Sequence, residues 1–108
     1  TLPMLLANIK KFNLEYHIEP LVMSSIDASF HVPNDLDLIF IDGSHTFESA
    51  QSDYYHWKPK LRPGGILAIH DIYDTEEEGG QAPKKIFLKA LADGFVLKER
   101  VKSLVLLD

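Results

Sequence analysis

The sequence predicts an α/β protein whose sheet is largely parallel and carries helices on its faces. Two nearly continuous apolar runs, Leu36–Asp42 and Gly65–Asp71, are typical of parallel strands that are buried on both faces. The amphipathic segment between them predicts a right-handed crossover helix, which would place the two strands side by side. Helical and strand patterns alternate throughout, so residues 1–108 are predicted to form a single domain.

The elements ahead of the first apolar run begin with a helix over Pro3–Phe12, where apolar residues recur at helical spacing. His17–Met23 is predicted to be a short strand, and Pro20 favours an edge position for it. Ser24–Pro33 is predicted to be a loop with room for one helical turn.

A capping residue and two prolines mark the ends of the crossover helix. It is predicted to start near Phe47, with Thr46 as its N-cap and Pro59 and Pro63 at its far end. Arg62–Gly65 is predicted to be a turn, because proline fixes one dihedral angle and two glycines let the chain reverse.

The elements after the second apolar run start with an acidic surface loop over Asp74–Gly80. A helix is predicted from about Pro83 to Gly94, where glycine ends it. Strands over Phe95–Arg100 and Leu104–Leu107 follow and are predicted to form a tight hairpin.

The composition excludes several classes of protein. The net charge is −5, from 11 basic and 16 acidic residues, which argues against a general nucleic-acid-binding protein. The absence of cysteine excludes disulfides and thiolate metal sites. No apolar run approaches the roughly 20 residues of a membrane span and no signal peptide is evident, so the cytoplasm is the expected location.

Polar residues cluster where the predicted strands end. Ser24 and Ser25 follow the first strand, Asp42 closes the second, and His70 and Asp71 close the third. Open α/β sheets bind ligands at this edge, so the cluster predicts a site. The alternative is that strand ends are polar only because they meet water.

The segment Asp42–His45 (Asp-Gly-Ser-His) joins a buried strand to a helix. Its aspartate could hold a divalent cation, and its histidine could take a proton from a substrate hydroxyl. An Asx-type turn followed by a histidine near a helix N-terminus explains the same residues equally well. If the two apolar strands are neighbours, His70 and Asp71 complete an oxygen- and imidazole-rich site for magnesium, manganese or zinc. For His70 the alternative is hydrogen bonding to backbone amides of the following loop.

The patterns Asp-Gly-x-His, Leu-x-Pro-Gly-Gly and His-Asp link three segments of the chain. They are Asp37–Glu48, Leu61–Gly65 and Ala68–Asp71, with Asp53 and Trp57 between them. In this combination and order they resemble a group of class I S-adenosylmethionine-dependent methyltransferases. That group includes macrolide and sugar O-methyltransferases and cephalosporin-hydroxylase-like proteins.

The resemblance implies a Rossmann-like sheet with the strand order 3-2-1-4-5-7-6. His17–Met23, Leu36–Asp42 and Gly65–Asp71 would be its third, fourth and fifth strands. The chain is therefore expected to be the carboxyl-terminal part of a methyltransferase domain, lacking the first strands. Its glycines stand at positions 43, 64, 65, 79, 80 and 94, so no Gly-x-Gly motif occurs. We expect the chain alone to bind S-adenosylmethionine weakly or not at all.

The resemblance also implies roles for individual residues. Cofactor contacts fall on Ser24, Ser25, Asp42 and Gly43. His45 would be the catalytic base, and Asp42 would act with it.

A metal site follows from the same resemblance. Metal-dependent relatives hold magnesium with acidic residues that match Asp42, His70 and Asp71. This chain departs from them at His70, where those relatives carry a carboxylate. A divalent metal such as magnesium is therefore an optional cofactor.

The expected activity is S-adenosylmethionine-dependent O-methylation of a small-molecule hydroxyl. The alternatives are a non-catalytic, dimerising remnant of the fold and a metal-dependent hydrolase that uses the same carboxylates and histidines. A homodimer is expected, because Leu36–Asp42 would leave an apolar edge unpaired. A second possibility is that His17–Met23 closes this edge within one chain.

Overall fold

The computed structural model describes residues 1–42 and 46–108, and within these two segments the chain forms four α-helices and four strands. The elements are α1 (Leu2–Lys11), α2 (Ser25–Ser29), β1 (Leu36–Ile41), α3 (Phe47–Trp57), β2 (Leu61–Ile69), α4 (Ala82–Ala92), β3 (Leu97–Val101) and β4 (Leu104–Leu107). A 3-10 turn over Lys58–Lys60 joins α3 to β2. Neither segment contains a helix long and apolar enough to cross a membrane.

The four strands form one sheet in the order β1-β2-β4-β3. β1 and β2 are parallel neighbours, which confirms the prediction for the two apolar runs. β4 is antiparallel to both β2 and β3, so the expectation of a largely parallel sheet is corrected. The cause is the tight turn at Lys102, whose φ of 55° lets β4 fold back on β3. The fold is a mixed α/β structure.

Residues 17–23, predicted as a strand, form turns and irregular backbone instead. The N–H groups of His17 and Ile18 both donate to the carbonyl of Leu14, at 2.9 Å each, which curls the chain after α1. Pro20 has no N–H to donate to a neighbouring strand. Among the described residues β1 therefore pairs only with β2, and closure of its other edge by this segment is wrong.

The segment Arg62–Gly65, predicted as a turn, lies inside β2 as a bulge. Leu36 of β1 pairs with Leu61 and Leu38 pairs with Ile66, so four residues of β2 face a single residue of β1. The first glycine of the bulge has a φ of +78°, a conformation that side chains disfavour. The proline and the glycines thus redirect the chain without ending the strand.

The sheet has two apolar faces, and helices cover one of them. The inner face carries these side chains: Ile39, Ile41, Leu67, Ile69, Val105 and Leu107. Buried residues of α3 and α4 pack against it: Ala50, Tyr54, Ile86, Phe87 and Ala90. The outer face carries the alternate side chains: Leu38, Phe40, Ile66, Ala68, Leu104 and Leu106. Leu38 and Phe40 are 56% and 51% exposed, whereas Ile69 is fully buried.

A polar link joins α3 to the end of α4. The buried Tyr54 donates its hydroxyl hydrogen to Asp93 at 2.7 Å, and the ammonium groups of Lys58 and Lys89 lie 3.3 and 3.4 Å from the same carboxylate. Burial raises the pKa of Tyr54, so its hydroxyl stays protonated. The hydrogen bond from Tyr54 lowers the pKa of Asp93.

Candidate functional site

The candidate site lies where β1 and β2 end side by side. The backbone N–H of His70 donates to the carbonyl of Ile41 at 3.2 Å, which continues the parallel ladder by one bond beyond both strands. This bond sets Asp42, the residue after β1, beside His70, the residue after β2. The carboxyl ends of parallel strands are where open α/β sheets bind ligands.

Three predicted ligand residues converge at this edge: Asp42, His70 and Asp71. The Nδ1 atom of His70 lies 3.1 Å from Oδ1 of Asp71 and 3.5 Å from Oδ1 of Asp42. One ligand atom from each of the three residues lies within 4.8 Å of the other two. The His70 nitrogen is itself buried, yet no described residue offers it a well-directed hydrogen bond. Of the polar atoms in this cluster, Nδ1 of His70 is the one that is buried without a hydrogen-bond partner among the described residues.

This donor set fits a divalent cation in size and chemistry. Ligand atoms about 2.1 Å from an ion lie about 3 Å apart at adjacent positions of an octahedron. The distances from His70 Nδ1 to the two aspartate oxygens, 3.1 and 3.5 Å, are comparable. Two carboxylates favour magnesium or manganese, and an imidazole favours zinc and other transition metals.

The loop after β2 holds Asp71 in an unusual backbone conformation. Asp71 has a φ of 65°, and the next residue, Ile72, donates its N–H to the carbonyl of Ser103 at 2.8 Å. The Tyr73 hydroxyl lies 3.2 Å from Oδ1 of Asp71. The negative charge of Asp71 raises the pKa of Tyr73, so Tyr73 is the donor. On the side of β1, Phe40 stacks on the His70 ring with centroids 6.2 Å apart.

Two predicted site residues, Gly43 and His45, lie outside the described residues. The predicted cofactor contact and catalytic base at these positions therefore stay predictions. The Asp42 end of the same motif is described, and it is exposed at the mouth of the site.

The two predicted serine contacts lie near the start of α2. Ser24 is its N-cap, and its hydroxyl oxygen accepts the N–H of Asp27 at 3.1 Å. Ser25 accepts a hydrogen bond from the indole nitrogen of Trp57 at 2.7 Å. Ser25 also lines a cavity of about 370 Å³ with Asp42, whereas Ser24 does not line it.

That cavity has a mixed lining. Its polar groups are the side chains of Ser25, Asp42 and Asp53, and its apolar wall is β1 together with Trp57. Through Asp42 this cavity adjoins the cluster of Asp42, His70 and Asp71.

Comparison with known proteins gives the family. The model of a family described as "Methyltransferase domain" matches residues 4–72, more than half of the chain. The chain belongs to this methyltransferase family. The match contains the converged residues Asp42, His70 and Asp71, and it ends at Ile72.

A curated relative adds a second, shorter similarity. A stretch of 44 residues is 34% identical to the uncharacterized protein y4gI of Sinorhizobium fredii. The alignment covers 41% of this chain and 5% of that protein, so the chain spans a small share of the relative's length.

Proposed function

We propose that this methyltransferase domain transfers a methyl group from S-adenosylmethionine to a hydroxyl of a small molecule at the edge where β1 and β2 end. The observation that carries the proposal is the convergence of Asp42, His70 and Asp71 at the carboxyl ends of parallel strands, within the segment that matches the family. This edge is where such sheets place their ligands.

Asp42 has two roles in this proposal. It lines the cavity that would receive the nucleoside part of the cofactor, where Ser25 and Trp57 supply a hydroxyl and an aromatic wall. Its carboxylate also faces His70 and can orient the substrate hydroxyl. S-adenosylmethionine supplies the methyl group when it is bound.

His45 is the proposed base, on the strength of the Asp-Gly-x-His pattern in the sequence. A histidine with a pKa near neutrality can remove the hydroxyl proton as the oxygen becomes nucleophilic. Asp42 and Asp71 would position the hydroxyl before its proton leaves, or hold a cation that binds its oxygen, which then attacks the methyl carbon of the cofactor. Most of the rate acceleration comes from positioning and electrostatics.

Asp42, His70 and Asp71 are also the proposed ligands of a divalent cation. A cation held there would polarise the substrate hydroxyl and lower its pKa. The buried, unsatisfied Nδ1 atom of His70 supports this assignment, since a nitrogen in that state benefits from a positive partner. A metal-dependent hydrolase could use the same donors, but the family match favours methyl transfer.

The test is transfer of a radiolabelled methyl group. The protein is incubated with labelled S-adenosylmethionine, Mn²⁺ and a panel of small phenols and sugars. We expect label in at least one product, and a loss of about 100-fold or more in His45→Ala and in Asp42→Asn. Glu99→Gln is the matched control, because it removes an exposed carboxylate on β3, at the opposite edge of the sheet from β1. Transfer that persists unchanged in both site variants would contradict the proposal.

A dimerising, non-catalytic domain is the second candidate. It is favoured by the exposed apolar side chains Leu38 and Phe40 on a strand that pairs, among the described residues, on one side only. Methyl transfer at millimolar S-adenosylmethionine separates the two candidates, because weak cofactor binding by the chain alone is expected in either case. A dimer that transfers no label to any acceptor would favour this one.

A further inference from the structure

In the loop after the candidate site, Tyr73, Gly79 and Gln81 form a cluster of contacts next to Asp71. The Tyr73 hydroxyl donates to Oδ1 of Asp71 at 3.2 Å, the same oxygen that lies 3.1 Å from His70 Nδ1. Tyr73 thus donates the hydrogen bond to this oxygen, whereas the His70 contact is a close approach without hydrogen-bond geometry.

The Tyr73 ring is held by the absence of a side chain at Gly79. A Cβ at this glycine would lie 2.4 and 2.6 Å from two ring carbons of Tyr73, closer than real contacts allow. Gly79 has no positive φ, so its backbone conformation does not require glycine. The residue is small here because the ring passes directly over it.

A glutamine secures the same loop from the other side. The side-chain nitrogen of Gln81 donates to the carbonyl of Tyr73 at 3.1 Å and to that of Gly79 at 3.3 Å. Arg100 of β3 donates to the carbonyl of Ile72 at 3.2 Å. These bonds hold the backbone on both sides of the Tyr73 ring.

Asp71 has a φ of 65°, in the left-handed region that most side chains disfavour and that aspartate adopts more often than most residues. A ligand residue must keep its carboxylate within about 0.5 Å of the productive position. Loop contacts that hold Asp71 therefore act directly on the candidate site.

We propose that Tyr73 is a positioning residue for Asp71, and that Gly79 and Gln81 hold Tyr73 in place so that Asp71 and His70 form a preorganised site for a divalent cation. This inference rests on the proposed function. It concerns a loop that follows the segment matched by the family, which ends at Ile72. Outer-sphere partners of this kind commonly change metal affinity by about 10-fold or more.

The first test measures Mn²⁺ binding by electron paramagnetic resonance, which detects the free ion. Tyr73→Phe keeps the ring and removes only the hydroxyl, so we expect its Mn²⁺ affinity to fall about 10-fold. Gly79→Ala should lower the affinity similarly by displacing the ring. Gly80→Ala is the matched control, because a Cβ there meets no atom within 4 Å, and it should bind as the wild type does. Asp71→Asn removes the carboxylate charge and gives the Mn²⁺ affinity that remains without this ligand.

A second measurement, made without metal, separates this inference from the proposed function. The carboxyl resonance of Asp71, observed with carbon-13-labelled aspartate, should move in Tyr73→Phe and Gly79→Ala and stay in place in Gly80→Ala. A resonance unmoved in the first two variants overturns the positioning role. Wild-type protein that takes up no Mn²⁺, with the resonance shifts as expected, overturns the metal proposal and keeps the role of Tyr73 towards Asp71.

Discussion

The two faces of the sheet are built from similar side chains, and their surroundings differ sharply. On β1, Ile39 of the inner face is buried, while Leu38 and Phe40 of the outer face are half exposed. Ile39 belongs to the core that α3 and α4 complete, and its neighbours on β1 have no such cover among the described residues. Hydrophobicity alone therefore does not tell which side of a strand carries the stability of the fold.

The candidate site lies at the carboxyl ends of β1 and β2, where residues of both faces meet. His70 stacks on Phe40 of the outer face, and the residue before it, Ile69, is fully buried on the inner face. Burial of Ile69 on the inner face thus fixes the backbone next to His70. On the outer face, Phe40 forms an aromatic wall against the His70 ring. Variants on the two faces should separate folding from function.

The largest effect is expected on the inner face. Ile69→Ala removes a fully buried side chain at the centre of the core, and we expect a loss of about 3 kcal/mol in the free energy of unfolding. The matched variant Leu38→Ala, on a neighbouring strand but half exposed, should lose less than about 1 kcal/mol. Urea denaturation measures both. Equal losses would show that the outer face is covered in solution.

An intermediate effect is expected at the link that holds the covering helices together. Tyr54→Phe removes the hydrogen bond to Asp93 and should cost about 1 kcal/mol at neutral pH. Lys60 is a matched site: Lys60→Met also removes one hydrogen bond, to the carbonyl of Val32, away from α4. Because this hydrogen bond does not involve Asp93, Lys60→Met should leave the pH dependence of stability that arises from Asp93 unchanged.

The same link predicts a pH dependence. The hydrogen bond from Tyr54 lowers the pKa of Asp93 below its ordinary value of 3.8. A lowered native pKa adds stability above the unfolded-state value, and this stability is lost as the pH falls through the native one. Tyr54→Phe should therefore flatten the fall in stability below about pH 4. Thermal melts at several pH values measure this, and parallel curves for the two proteins would refute it.

The smallest effect on stability is expected on the outer face. Leu38→Lys places a charge on a half-exposed position of the edge strand, and we expect the free energy of unfolding to change by about 0.5 kcal/mol or less. If two copies associate through this edge, the charge should shift the sedimentation coefficient towards the monomer. A large loss of stability would mean that the position is buried within the folded chain.

Local patterns predicted most of the elements. Helical spacing and proline placement located α1, and the Thr46 N-cap of α3 is confirmed by its hydrogen bond from the Ser49 N–H at 3.3 Å. The parallel pairing of β1 with β2 followed from their continuous apolar runs. Such features depend on residues close in sequence, which is why one sequence was enough.

The failures have a different physical origin. Residues 17–23 were predicted to be a strand, but a strand exists only with a partner, and the turn at Leu14 removes this segment from the sheet. The β3-β4 hairpin and the order β1-β2-β4-β3 agree with the expected hairpin and with the 4-5-7-6 part of the implied order, whereas the antiparallel pairing of β4 with β2 departs from the expected largely parallel sheet. Strand pairing is a property of the whole fold.

The candidate site was predictable in part. Asp42, His70 and Asp71 follow apolar runs, and the structure brings them together at one edge. Tyr73 was missed, because its contact with Asp71 depends on the path of the loop past Gly79 and leaves no periodic signal. A conformationally unnecessary glycine beside an aromatic residue is visible only in three dimensions.

The bulge at Arg62–Gly65 makes the strand tolerant of changes in length. In an ordinary strand, one inserted or deleted residue moves every later side chain to the opposite face. Here four residues already loop out opposite one, so an insertion or deletion among them alters only the size of that excursion. The pairing from Ile66 to Ile69 keeps its phase, and His70 still arrives beside Asp42. The bulge can therefore change in length during evolution while His70 keeps its position next to Asp42.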